Sequence, residues 1–155
     1  MDVMNKRTLG FYAGSFDPFH KGHLDIVIQA SKIFDNVLVA KGVNSTKMKL
    51  VPARYPLPEN FLAKLGVFTT SYNTLLIEQV KAMEENYNIT IIRGLRSGAD
   101  LEYEQNLAAF LRGMYPQIKI VAFYCDPKYR HISSSALRDI EKFSPLEFQK
   151  YIVID

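Results

Sequence analysis

The stretch Gly14-Ser15-Phe16-Asp17-Pro18-Phe19-His20-Lys21-Gly22-His23 joins an apolar run, Leu9-Gly10-Phe11-Tyr12-Ala13, to an amphipathic one, Leu24-Asp25-Ile26-Val27-Ile28-Gln29-Ala30. The first run has the length and density of a buried strand and the second the spacing of a helix, so the stretch between them is a strand end, a turn and a helix start. Glycine lets backbone approach a ligand closely, and Asp17-Pro18 is turn chemistry. The free amides of a helix's first turn form an anion site. Phosphate is the guest this arrangement suits.

Outward from that turn, the helix is expected to run to about residue 34, with Leu24, Val27, Ile28 and Ile33 on its apolar face, before Asp35-Asn36 breaks it. A second buried strand at 37–40 completes a βαβ unit, whose parallel strands require a right-handed crossover. Residues 44–60 are polar and then proline-rich, a loop expected over the active face. A short helix at 61–66 ended by Gly66, a strand at 67–69, and a helix at 73–86 capped by Asn73 or Thr74 follow. Ile89-Thr90-Ile91-Ile92 is the next strand, placing Arg93 and Arg96 just beyond the carboxyl edge of the sheet, where open α/β sheets bind ligands. A helix at 100–115 turns Leu107, Phe110, Leu111 and Met114 inward; Pro116 stops it. The last strand is 118–124, a helix from Ser134 buries Leu137 and Ile140, and Pro145 opens a final amphipathic segment to Tyr151. The fold expected is a Rossmann-like, doubly wound parallel sheet of five strands with helices on both faces, one domain over residues 1–155.

Composition narrows the function classes. The chain has 155 residues, 48% apolar and 23% charged, with a net charge of +3, an ordinary globular balance. So small a charge, with no long basic run, argues against nucleic acid or a membrane surface as partner. The single cysteine, Cys125, excludes an internal disulfide and reads as a small buried hydrophobe near a strand end. The N-terminus lacks a signal-peptide core, and the expected location is the cytoplasm.

His20 and His23 stand three residues apart at the helix start and face the same side. Phosphate binding, zinc ligation and plain capping or packing are the readings open to them. Zinc needs three or four ligands, and only His131 and Cys125 remain to supply them. Arg93 and Arg96 offer planar forks that suit phosphate oxygens, or ordinary ion pairs with Asp100, Glu102 or Glu104. Ser133-Ser134-Ser135 precedes a helix and combines hydroxyls with first-turn amides, a cap first and a phosphate site second. A P-loop, a GxGxxG fingerprint and a nucleophile elbow are all missing from the sequence.

Taken together, Gly14 to His23, Ile92-Arg93-Gly94-Leu95-Arg96 with Ala99 to Glu104, and Ile132-Ser133-Ser134-Ser135 resemble the HxGH or TxGH nucleotidylyltransferases, and within them the phosphopantetheine adenylyltransferases. The resemblance implies attack of the 4′-phosphate of phosphopantetheine on the α-phosphorus of ATP, with magnesium accompanying ATP. It assigns catalysis to His23, Lys47 and Ser15. It places Ser15, Phe16, His20, His23, Gly94, Arg96, Glu104, Tyr129, Ile132, Ser133, Ser134 and Ser135 around ATP. Around the acceptor it places Ser15, Lys47, Leu75, Leu76 and Arg93. It also implies a homo-oligomer, commonly a hexamer, and gives His131 no role. Two departures bear on the acceptor: residues 52–60 replace the family's Thr-Leu-Glu-Glu-Arg helix, and Leu111 stands where an asparagine usually touches pantetheine. Another phosphorylated acceptor, such as nicotinate or nicotinamide mononucleotide, and a noncatalytic nucleotide binder are the alternatives.

Overall fold

The computed structural model describes residues 5–43 and 54–155. Strand β1 (Arg7–Gly14) sends Leu9, Phe11 and Ala13 to one face and Tyr12 to the other. Strand β2 (Asn36–Gly42) divides the same way, with Leu38 and Ala40 on the first face and Val37 and Val39 on the second. Both sets are buried, so these strands read as continuous apolar runs, because helices cover a parallel sheet on each side.

The other strands are β3 (Phe68–Tyr72), β4 (Tyr87–Leu95) and β5 (Ile120–Tyr124). All neighbours pair in parallel, in the order β3-β2-β1-β4-β5. This is the expected five-stranded, doubly wound sheet. Its direction of winding reverses between β1 and β4, and a crevice opens at the carboxyl ends of those two strands.

Helix α1 (Lys21–Ser31) and helix α2 (Glu59–Lys64) cover the face carrying Tyr12. Helix α3 (Leu76–Met83) and helix α4 (Gly98–Met114) cover the other. Gly66 ends the turn after α2 with a φ of 76°, a conformation that favours glycine. Helix α5 (Ser134–Phe143) and helix α6 (Pro145–Gln149) form a smaller cluster around Ile132, Leu137 and Phe148, with Ile140 packed against it.

Several expectations are corrected in detail. Helix α1 stops at Ser31, and it buries Ile26, Val27 and Ala30, whereas Ile28 and Ile33 face outward. At about 100° per residue, Ile28 lies roughly 200° round the helix from both Ile26 and Ala30, on the side away from the sheet. Helix α3 starts at Leu76 without a side-chain cap, so neither Asn73 nor Thr74 caps it. In α4, Leu111 is buried and Leu107 packs beside it one turn earlier, whereas Phe110 is 74% exposed and Met114 is exposed too. A helix laid on a sheet by one narrow line leaves the adjacent line outside. Strand β4 extends through Leu95, which makes Arg93 a strand residue rather than a loop residue.

Candidate active site

The turn between β1 and α1 is held by its own imidazoles. His20 is the N-cap of α1: its Nδ1 accepts from the backbone N–H of Gly22 at 3.1 Å and of His23 at 3.3 Å. His23 answers by accepting from the N–H of His20 on its own Nδ1, at 3.1 Å. This is a capping box in which histidines replace the usual hydroxyl and carboxylate. Gly22 permits it, since a Cβ there would lie 3.0 Å from the His20 ring.

Because each Nδ1 is an acceptor, each imidazole carries its proton on Nε2. The rings stack with centroids 3.6 Å apart. Burial pushes the His20 pKa down to about 4, with the Arg96 charge adding to the effect. His23 is pushed well below its ordinary value by burial, then by His20, Arg96 and Lys41. Both are neutral N–H donors at pH 7. The capping and phosphate readings of the pair are therefore compatible: Nδ1 serves the helix, and Nε2 is left for a ligand.

Across the crevice, Arg93 and Arg96 are placed by β4 and the start of α4. Arg93 donates from Nε and Nη2 to the two oxygens of Glu104, at 2.6 and 2.8 Å, and from Nη1 to the Ala13 carbonyl at 2.8 Å. Arg96 donates from Nε and Nη2 to Asp100, at 3.0 and 3.3 Å, and from Nη1 to the Ile132 carbonyl at 3.1 Å. Burial opposes ionisation of Asp100, but the hydrogen bonds from Arg96 outweigh it and hold the carboxyl below its usual range. The ion-pair reading of both arginines is thus realised, and each guanidinium keeps further N–H groups.

The third element is the start of α5. Ser133 caps the helix by accepting from the Ala136 N–H at 3.2 Å. Ser134 donates to the Pro18 carbonyl at 3.0 Å, and Arg138 donates to the Asp17 carbonyl at 2.6 Å, which ties α5 to the turn after β1. The C-terminal segment pairs with the same turn: Lys21 donates to Tyr151 and Val153 to Phe19.

These three elements enclose one cavity of about 400 Å³. Ser15, Phe16, His20, His23, Arg93, Gly94, Arg96, Glu104 and Ser133 to Ser135 all contribute to its wall. The sequence assignments for these residues converge in space. Glu104 is there, but with both oxygens taken up by Arg93 rather than turned to a nucleotide. Tyr129 and Ile132 stand outside the lining; Ile132 is buried in the α5–α6 cluster and reaches the site only through its carbonyl. Leu75 is exposed and Leu76 packs in the core, neither against the cavity. Lys47 lies outside the described residues, as does the expected loop over 44–53. His131 is exposed beside Tyr151.

Among the lining and supporting residues to which the sequence assigned no part in the site are Tyr12, Cys125, Arg138 and Lys41. Tyr12 forms part of the wall, and burial raises its pKa so that it stays a neutral phenol. Cys125 is core and wall at once, its thiol pKa raised by burial. Arg138 carries no signal in the sequence. Lys41 does carry one, a lysine closing an otherwise apolar strand.

Among the described residues, no three His, Cys, Asp or Glu side chains gather into a metal-sized group. Both cavity carboxylates, Asp100 and Glu104, are engaged by arginine. The donors that remain are cationic or neutral, a set that suits a polyanion.

The chain matches the cytidylyltransferase-like family over residues 11–140. It is 40% identical to the phosphopantetheine adenylyltransferase of Clostridium perfringens (strain SM101) over 139 residues, which cover 88% of this chain and 83% of that one. It is 32% identical to the phosphopantetheine adenylyltransferase of Levilactobacillus brevis, with 88% and 84% covered. In three dimensions it resembles the structure of a Vibrio parahaemolyticus protein assigned as a nicotinate-nucleotide adenylyltransferase, with a TM-score of 0.59 at 16% identity, covering 95% of this chain and 87% of that one. At that identity the likeness speaks for the fold.

Proposed function

The chain belongs to the cytidylyltransferase-like family and, within it, to the phosphopantetheine adenylyltransferases, and from that premise we propose how its cavity carries out the reaction. It is a nucleotidyltransferase of coenzyme A biosynthesis. An oxygen of the 4′-phosphate of phosphopantetheine attacks the α-phosphorus of ATP. The bond from that phosphorus to the pyrophosphate oxygen breaks, giving dephospho-coenzyme A and pyrophosphate. No enzyme nucleophile is needed, so the protein's work is to position two anions and to stabilise charge gathering on the α-phosphate.

His23 gives its Nε2–H to an α-phosphate oxygen, and as a neutral donor held by its own Nδ1 bond it needs no reorientation in the transition state. His20 lies along the phosphates with the same polarity. Ser15 supplies a hydroxyl and an amide at the exposed tip of the turn. Arg96 and the hydroxyls of Ser133 to Ser135 take the β- and γ-phosphates. Arg93, braced by Glu104, presents its remaining N–H groups to the acceptor phosphate. Lys47 bridges the attacking and α-phosphates. Magnesium bound with ATP would neutralise phosphate charge, with phosphate oxygens and water as its main ligands; Asp100 and Glu104, each paired with an arginine, fit that mode rather than a protein-built cage.

The convergence of the histidine turn, the two arginines and the serine run on one cavity supports the reading most directly. We place the enzyme in the cytoplasm as a homo-oligomer, a hexamer; no helix among the described residues is long and apolar enough to cross a membrane. The acceptor is tested by following pyrophosphate from ATP and magnesium with 4′-phosphopantetheine, nicotinate mononucleotide or nicotinamide mononucleotide. Release with phosphopantetheine alone is expected. Release with a mononucleotide alone overturns the acceptor, and ATP binding without release overturns catalysis.

A further inference from the structure

Lys41 closes β2 and turns its side chain inward, where it is only 10% exposed. Its Nζ lies 2.8 Å from the carbonyl oxygen of Ser15, 3.0 Å from that of Phe16 and 3.0 Å from that of Tyr55. Asp17 Oδ1 is a fourth acceptor at 3.3 Å, on a half-exposed carboxylate. An ammonium has three N–H groups, and here they meet three carbonyls and a carboxylate. Nothing is left over for a substrate, and Lys41 takes no part in the cavity wall.

What it grips is the backbone behind that wall. Phe16 has a φ of 45°, in the left-handed region that a side chain bearing a Cβ adopts only when its surroundings enforce it. The carbonyls of Ser15 and Phe16 both turn to the Lys41 ammonium, and an apolar side chain in its place would leave the part-buried first and the buried second without this donor. The Phe16 ring, in turn, packs edge-on against His23 with centroids 4.9 Å apart and against Tyr12 at 5.0 Å. A shift of Phe16 therefore moves the surface against which the His23 imidazole is seated.

We propose that Lys41 is a positioning residue for adenylyl transfer: its ammonium locks the Ser15–Phe16 turn and, through the Phe16 ring, fixes where His23 presents its Nε2–H. The inference rests on the reaction assigned above. It differs from a general stabilising role in what it predicts: the loss falls on the transition state, and ATP binding is spared.

The experiment compares the full chain with Lys41→Met and Lys41→Gln, the second keeping an amide able to donate to part of the same set. Each protein is assayed for pyrophosphate release with ATP, magnesium and 4′-phosphopantetheine, and backbone amide exchange is followed over residues 14–23. Lys41→Met is expected to lose roughly 100-fold in kcat, with the ATP KM within about threefold, the size of effect a displacement of about 1 Å produces. Lys41→Gln is expected to fall between it and the wild type, and exchange over residues 14–23 to quicken in both. An unchanged kcat in folded Lys41→Met overturns the proposal. So does a loss of ATP affinity equal to the loss in kcat, or failure of both variants to fold. A wild-type protein inactive with 4′-phosphopantetheine removes the parent reading, a result distinct from equal activity in wild type and variant.

Discussion

The turn after β1 carries two imidazoles that are neutral, stacked 3.6 Å apart and fixed by bonds to amides within three residues of themselves. Across the cavity, the end of β4 carries two guanidiniums, each already bound to a carboxylate of α4. One wall is organised by local spacing and contributes directed N–H groups. The other is organised by charge, with Arg93 reaching eleven positions along the chain to Glu104 and eighty to Ala13. A site for a polyanion needs both. Charge alone attracts ground state and transition state alike, whereas a directed neutral donor can favour the geometry in which the bond breaks.

The sharpest way to break that contrast is His23→Ala. Turnover should fall by about 10² to 10³, roughly 3 to 4 kcal/mol of lost transition-state stabilisation, while ATP affinity by calorimetry changes by less than about threefold. Equal losses in both would put His23 among the ground-state ligands, with the arginines.

A second test uses acid, to which the two depressed imidazoles respond. His20 has a pKa of about 4 in the folded chain against an ordinary 6.5, so below that ordinary value the unfolded chain takes up the proton first. The associated stability is complete above 6.5 and is lost as the pH falls toward 4, about 3 kcal/mol at about 1.4 kcal/mol per unit. His23, shifted the same way by the same main cause, adds to the loss. Urea unfolding across that range should show the slope, and His20→Asn, which keeps a capping acceptor, should flatten it. An identical slope in both proteins would remove His20 from the effect.

The smallest expected effect is on the charged wall. Glu104→Gln keeps the shape but leaves Arg93 facing an uncharged partner, with both side chains mostly buried at 19% and 14% exposure. Unfolding free energy should drop by roughly 2 kcal/mol, below the usual cost of breaking a buried pair because a hydrogen bond survives. The drop should be equal at pH 6 and pH 8. A pH-dependent drop would mean that the Arg93–Glu104 pair, and not Arg96 alone, is coupled to the imidazoles.

How far the sequence could be read follows the range of the interactions involved. The apolar runs of β1, β2 and β4 showed as strands because burial on both faces leaves few polar interruptions. The histidine turn showed as a helix start because a cap and its amides lie within a few residues of each other. The apolar face of α4 did not, because Leu111 and Phe110 are adjacent and equally apolar, and only the sheet decides which is covered. Arg93 reads from the sequence as a phosphate fork or as an ion-pair partner of Asp100, Glu102 or Glu104; that Glu104 is the one it holds depends on how α4 lies over β4.

By itself, the order of residues determined the parallel α/β architecture, the glycine- and histidine-bearing turn at the helix start and the family, since each rests on periodicity or on motifs contained in short stretches. Only the tertiary structure decided that Lys41 serves the backbone of the turn, that Arg138 and the C-terminal segment hold that turn to α5 and α6, and that Tyr12 and Cys125 help line the cavity. Those contacts join residues that lie as much as 134 positions apart, Phe19 with Val153, and are set by how strands and helices stack. No local propensity encodes such a distance; it appears when burial of the two apolar faces brings the carboxyl ends of β1, β2 and β4 to one edge.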